Sequence, residues 1–210
     1  MFEILWQHDD FVAINKPAGM AVHQDKSMPS LTCALAAQLG LPRVWLLHRL
    51  DKPTSGVLLL ALNETAASVL AQQFASQTMH KTYLALSDRK PVKKQGWVKG
   101  DMEKARRGAW KLLRSTERPA ITYFTSTSIM PGMRLFTLHP HSGKTHQLRV
   151  AMKSIGSPIL GDTLYGGSPA ERMFLHAYRL HFDYRNETFD IVAQPDSSWP
   201  QPFSGSLATV

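Results

Sequence analysis

A chain of 210 residues with 43% hydrophobic and 19% charged residues is long enough to bury one good-sized core and has the balance of an ordinary globular protein. It holds no apolar run of bilayer-spanning length, and its mixed, acidic N-terminus lacks the basic start and apolar stretch of a signal peptide. Cys33 is the only cysteine, which excludes an intrachain disulfide and a thiolate metal cluster and suits a reduced, cytoplasmic protein. The formal net charge is +8, and its distribution is uneven. From Asp88 to Arg118 there are eleven Lys or Arg against four acids, a balance of +7, while the rest of the chain is nearly neutral. That segment also carries Trp97 and Trp110. Cations neutralise phosphates and rings stack on bases, so the composition favours a nucleic-acid partner over a solvated loop, and over a membrane surface, which wants an amphipathic pattern.

In chain order, Ile4–Trp6 and Phe11–Ile14 read as a hairpin around His8-Asp9-Asp10, and Asn15-Lys16-Pro17-Ala18-Gly19 turns the chain out of it. Ser30 to Leu39 is a predicted helix with Ser30 as N-cap and Gly40 just past its end. The runs Val44–Leu47 and Val57–Leu62 are short, Val- and Leu-rich strands. Asn63 caps a second helix through Phe74, with Ala66, Val69, Leu70 and Phe74 on one face. Tyr83–Leu86, Ile121–Phe124 and Leu135–Leu138 follow as strands, Thr145–Ile155 as a helix stopped by Gly156, and Leu175–Phe182 and Thr188–Val192 as closing strands. The strands and helices alternate too irregularly for a doubly wound parallel sheet, and no repeat or linker divides them. The expectation is one α+β domain over residues 1–196, a mixed and mainly antiparallel sheet with flanking helices, followed by a polar tail over 197–210.

Two constellations carry chemistry. Leu47-His48-Arg49-Leu50-Asp51-Lys52-Pro53-Thr54-Ser55-Gly56 packs polar groups between two core strands, where they are costly unless satisfied, and Pro53 and Gly56 require it to turn. On an extended segment Arg49 and Asp51 share a side. Leu50 anchors the segment, and His48 orders the loop or contacts a ligand. The second is His139-Pro140-His141-Ser142-Gly143-Lys144-Thr145-His146-Gln147-Leu148-Arg149. A phosphate-binding P-loop would need glycine where Leu138 stands, and His139, His141 and His146 lack zinc-site spacing and thiol partners, so neither an NTPase nor a metal site is expected. Lys144, Thr145 and the amides opening the next helix suit a phosphate, and Arg149, one turn in, can face a buried acid.

These residues resemble the RluA-like pseudouridine synthases, which isomerise selected uridines in ribosomal or transfer RNA. The resemblance rests on His48-Arg49-Leu50-Asp51 with Thr54-Ser55-Gly56, on Lys81-Thr82-Tyr83 and on Gly143 through Arg149. Asn15 through Gly19, Pro158-Ile159-Leu160-Gly161-Asp162 and Leu175-His176-Ala177 fall in the same order, so it extends from residue 4 to about residue 195. Two positions depart from the family pattern: Lys144 stands where Arg is usual, losing the bidentate fork, and Ala151 where a second His is usual.

The resemblance implies a pseudouridine-synthase catalytic domain with a central RNA-binding cleft. It implies Asp51 as the essential group, whether it attacks the sugar or first removes a sugar proton. Arg149 would pair with Asp51 and offset the cost of burying its charge. Tyr83 would pack against the uracil and take part in the final proton removal, and Arg49 would stack in the gap left by the flipped base. No cofactor or metal is required. The chain starts directly with the catalytic domain, without the accessory N-terminal RNA-binding domain of many relatives. Lys93, Lys94, Arg106 and Arg107 of the basic segment are the expected substitute. A monomer acting on structured RNA, transfer RNA by preference to large-subunit ribosomal RNA, is the expectation. The competing reading is a non-catalytic RNA-binding or RNA-folding protein using the same cleft. A glycosidase lacks a second carboxylate to partner Asp51.

Overall fold

The computed structural model describes residues 1–22 and 30–200. Its elements in chain order are β1 (Glu3–Gln7), β2 (Phe11–Lys16), α1 (Leu31–Leu39), β3 (Trp45–Leu46), β4 (Ser55–Ala61), α2 (Glu64–Ala75), β5 (His80–Ser87), β6 (Gln95–Gly100), β7 (Met102–Lys104), β8 (Trp110–Leu112), β9 (Ala120–Met130), β10 (Met133–Pro140), α3 (Gln147–Ser154), β11 (Leu175–Tyr184) and β12 (Glu187–Val192). Ten strands form one sheet in the order β1-β2-β4-β11-β5-β10-β9-β6, with β12 on β11 and β3 on β4, while β7 and β8 form a separate hairpin. All pairings are antiparallel except β4 with β11. The expected α+β fold with a mixed, mainly antiparallel sheet is the one observed.

The local signals act as anticipated at both capped helices. Ser30 Oγ accepts from the Cys33 amide at 3.3 Å, and Gly40 closes α1 in the left-handed region at φ 67°. Asn63 Oδ1 accepts from the Ala66 amide at 2.9 Å. Ala66 and Leu70 of α2 are buried, but Val69 is 46% exposed and does not belong to the packed face as expected. The strand expected over Val44–Leu47 shrinks to two residues that lie beside Leu60 and Ala61 of β4. The last core residue is also later than expected. Trp199 is 2% exposed and packs with Leu84, Leu86 and Phe174, so the tail does not begin at 197; residues from 201 onward lie outside those described.

Four neighbouring strands position the polar loops. Gly56 of β4 stands opposite Ala177 of β11, Ala177 opposite Tyr83 of β5, and Tyr83 opposite Leu138 of β10. Small residues, Gly56 and Ala177, thus lead across the sheet from the start of β4 to Tyr83. Gly56 continues β4 rather than turning the chain, in contrast to its expected turn role. It does so at φ 111°, and a Cβ there would collide with the Ala177 carbonyl oxygen. Only glycine allows the two strands this approach. Gly56→Ala is therefore expected to lower the unfolding free energy by roughly 3 kcal/mol or more, read from urea denaturation.

Candidate active site

The loop before β4 holds Asp51 by anchors on both sides. Leu50 is 5% exposed in the core. His48 stacks on Phe74 at 4.3 Å and its Nε2 accepts the Leu59 amide at 3.0 Å. Burial, then the Lys81 charge, pull the His48 pKa down to about 3, so its ring is neutral as it orders the loop. Asp51 opens a tight turn in which its carbonyl accepts the Thr54 amide at 2.9 Å. Lys16 is wholly buried, and its ammonium donates to the carbonyls of Pro17 at 3.0 Å, Met20 at 2.8 Å and Lys52 at 3.2 Å. The Gly19 amide also donates to Lys52 O, at 2.8 Å. Burial lowers the Lys16 pKa to about 8 against the opposing pull of Asp51. The Asn15–Gly19 stretch thus straps the Asp51 turn from below. Beyond the turn, Ser55 Oγ lies 2.8 Å from His176 Nδ1 and accepts from Arg172 Nη2 at 2.6 Å. His176 Nε2 must carry a proton to meet the Ala193 carbonyl at 2.8 Å, and burial takes the His176 pKa to about 4. Nδ1 is then the acceptor and Ser55 its donor.

The segment after β10 brings Arg149 to Asp51. Helix α3 begins at Gln147, two residues later than expected, because His146 adopts the left-handed conformation at φ 56°. The Gln147 side chain accepts from Ser142 Oγ at 2.8 Å and the Lys144 amide at 3.0 Å, and donates to Ile121 O and Thr122 Oγ1 at 3.0 Å each. Arg149, with 9% of its side chain exposed, grips Asp162 with Nε and Nη2 at 2.8 Å each and turns Nη1 to Asp51 Oδ2 at 3.6 Å. The expected Arg149–Asp51 pair is present, but the two aligned hydrogen bonds go to Asp162, whose side chain is 1% exposed. Burial opposes the Arg149 charge; the Asp162 hydrogen bonds and charge, then Asp51, outweigh it and raise the guanidinium above its ordinary value. Asp162 follows Gly161, held at φ 85° with the Arg172 carbonyl where a Cβ would stand.

His146 completes the surroundings of Asp51. Its Nε2 lies 3.9 Å from Asp51 Oδ2 and its Nδ1 2.8 Å from the Tyr165 hydroxyl. That hydroxyl accepts the Trp110 backbone N–H at 2.9 Å, so its own proton is free to go to His146 Nδ1. Burial lowers the His146 pKa, with Asp51 opposing and Arg149 assisting. A neutral ring that accepts from the Tyr165 hydroxyl at Nδ1 carries its proton on Nε2, on the side of Asp51. The Arg149 guanidinium stacks 4.9 Å over the Tyr165 ring. Tyr83 is packed between two core clusters, and burial, then the Asp51 charge, push its phenol pKa up, so it stays protonated beside the carboxylate.

Of the expected site residues, Asp51, Tyr83 and Arg149 converge. Arg49, Lys144 and Thr145 are exposed around them. The proposed phosphate site at the α3 N-terminus is reduced, since the Lys144 and Gln147 amides are already engaged within the loop. Ala151 is buried in the core against Phe124 and Leu148. Lys93, Lys94, Arg106 and Arg107 are exposed at two separate places, the lead-in to β6 and the tip of the β7–β8 hairpin. Sequence reasoning missed Asp162, His146, Tyr165 and Lys16 as site residues. Asp162 and Lys16 stand within family motifs but drew no role of their own, while nothing local marks Tyr165.

Asp162→Ala would leave the buried Arg149 without its two hydrogen bonds and is expected to cost roughly 3–5 kcal/mol of stability by chemical denaturation. The depressed His48 and His176 pKa values also set a pH dependence. Both rings stay neutral in the folded chain while the unfolded chain takes up their protons below about pH 6.5. Stability is expected to fall as pH drops from 6.5 toward 4, with a slope reaching about 2.7 kcal/mol per pH unit, and His176→Gln should flatten it.

The comparisons agree with this geometry. The profile of the RNA pseudouridylate synthase family matches residues 10–154. An uncharacterized RNA pseudouridine synthase of Haemophilus influenzae is 53% identical over 95% of this chain and 91% of its own length. A tRNA pseudouridine synthase C of Vibrio vulnificus is 34% identical, covering 97% of this chain and 94% of its own. Ribosomal large subunit pseudouridine synthase C of Rickettsia bellii is 35% identical over 84% of this chain but only 62% of its own. The solved structure of human RNA pseudouridylate synthase domain containing 4 superposes with a TM-score of 0.79, at 26% identity over 93% of this chain and 89% of that one. With a family match over more than half its length and relatives of this identity and coverage, the chain belongs to the RNA pseudouridylate synthase family.

Proposed function

We propose that the protein converts uridine to pseudouridine in structured RNA, with Asp51, Tyr83 and Arg149 as the reacting set. The observation that carries this reading is the Asp51 carboxylate, 29% exposed and 3.6 Å from an arginine that Asp162 already holds in place. The reaction breaks the N1–C1′ bond, turns the uracil over, forms the C1′–C5 bond, and moves the C5 proton off as N1 gains one. Atoms and charge balance within the substrate, so side chains alone suffice. Arg149, its Nη1 3.6 Å from Asp51 Oδ2, aims the carboxylate and offers it a positive partner. His146 Nε2–H supports the same carboxylate from a second direction. Tyr83 walls the base; as a protonated phenol it can carry the C5 proton only as a relay, accepting one while its own moves on. Arg49, exposed next to the loop, stacks where the base has left.

A binding-only role for the cleft fits the geometry poorly. Acids repel phosphates, and a buried arginine between two carboxylates adds nothing to holding a backbone. The basic lead-in to β6 and the β7–β8 tip supply that function through Lys93, Lys94, Arg106 and Arg107, and Lys144 and Thr145 add a contact beside the site. Transfer RNA is the favoured substrate, since the named relatives covered along nearly their whole length include a tRNA pseudouridine synthase. With one cysteine and no interface demanded by the site, a cytoplasmic monomer fits.

Tritium release from 5-tritiated transcripts tests the substrate: release is expected from bulk tRNA and not from large-subunit rRNA, and the reverse would reassign it. Neutralising Lys93, Lys94, Arg106 and Arg107 together is expected to weaken RNA binding and to reduce the salt slope by about 0.7 for each phosphate that is no longer neutralised. An unchanged slope would remove this segment from the RNA interface.

A further inference from the structure

Strands β6, β9 and β10 bring Trp97, Tyr123 and His139 directly opposite one another in a single cross-strand row. Their chain neighbours Val98, Phe124 and Leu138 are buried with Leu148, Ala151 and Met152 of α3. Leu138 is also the residue opposite Tyr83. Because side chains alternate across a sheet, the row lies on the other face, turned away from the catalytic groups. Trp97 is 53% exposed there. Its ring centroid is 5.1 Å from Tyr123 and 5.1 Å from His141, and Tyr123 is 6.2 Å from His139. The Lys99 ammonium sits 5.1 Å from the Trp97 ring.

The chemistry around the row selects its partner. Thr125 and Thr137, opposite each other and two residues along, share the face, and the Thr82 hydroxyl lies 3.4 Å from His139 Nδ1. Aromatic faces are thus rimmed by hydroxyls, imidazoles and cations, not by the continuous apolar surface that another protein's core patch would need. Strand β6 lies within the basic stretch whose balance is +7, and Lys93 and Lys94 lead into it. Rings with polar rims beside clustered cations match unpaired bases on a phosphate backbone.

We propose that the Trp97–Tyr123–His139 row is a stacking platform for an unpaired segment of the RNA, which leaves the catalytic face and crosses the β6 edge. This rests on the reading of the protein as an RNA-modifying enzyme and extends it to a second contact surface. Strand β6 is the end of the sheet, and the exposed Lys93 and Lys94 stand on its lead-in.

Binding of an oligouridylate probe and tritium release from 5-tritiated tRNA, measured together on Trp97→Ala and Trp97→Phe, separate the two claims. Trp97→Ala is expected to weaken oligouridylate binding roughly 5- to 150-fold with an unchanged salt slope, Trp97→Phe to restore most of it, and turnover at saturating tRNA to stay at the wild-type value. Unchanged affinity in a Trp97→Ala protein with wild-type melting, a loss that phenylalanine does not restore, or a change in self-association with RNA binding intact would each overturn the platform. Should Trp97→Ala fail to fold, photo-crosslinking of the wild-type protein to 5-bromouridine RNA decides. A crosslink on the peptide bearing Trp97 or Tyr123 supports the platform, and crosslinks confined to the Asp51 and Tyr83 peptides contradict it. Wild-type protein that binds RNA but releases no tritium from tRNA or rRNA contradicts the enzymatic reading instead.

Discussion

Arg149 carries a full charge with 9% of its side chain exposed, a position that costs several kcal/mol for an unpaired ion. Two carboxylates make it tenable, and they play unequal parts. Asp162, almost completely buried, takes both aligned hydrogen bonds and fixes the plane of the guanidinium. Asp51, partly exposed, receives what remains: one nitrogen at 3.6 Å and the full field of the cation. A bidentate pair to Asp51 would have locked that carboxylate against the protein. The looser contact leaves it able to reach a substrate.

The same fork organises the elements around it. Asp162 follows the glycine packed on the Arg172 carbonyl, and Arg172 in turn donates to Ser55 at the start of β4. Tyr165 lies under the guanidinium and joins His146 to the backbone of Trp110. The β7–β8 hairpin, with Arg106 and Arg107 at its tip, is therefore hydrogen-bonded to a residue that faces the reactive carboxylate. The hairpin and the Asp51 turn thus share one continuous framework.

Much of this was readable along the chain where the cause is local. Ser30 and Asn63 cap helices because their side chains reach amides three residues on, and Tyr83 opens a short apolar run, Tyr83-Leu84-Ala85-Leu86, that reads as a buried strand. That Asp51 and Arg149 would meet was readable for a different reason, the ordered motifs of a family. What stayed hidden depends on distant partners. Asp162 matters through Arg149, and Lys16 through three carbonyls that the turn brings together. Strand β6 was masked by its own charge: Trp97 and Lys99 alternate with Val98 and Gly100 as an edge strand should, yet the surrounding cations drew the reading to a binding segment and no strand was assigned there. Val69 was misplaced because an apolar residue at helical spacing can still fall just outside the covered face of a helix that packs on one side only. Trp199 looked like part of a tail because the polar residues before it give no hint that the chain returns to the core.

The chemistry turns on Asp51 being the reacting carboxylate and not merely an acid in an RNA cleft. The direct measurement is single-turnover pseudouridine formation by Asp51→Asn, alongside its affinity for the same RNA. Asparagine keeps the size of the side chain and removes only the charge and the nucleophile. No pseudouridine, with RNA binding retained, is the expected result. Turnover near the wild-type rate in that variant would contradict it.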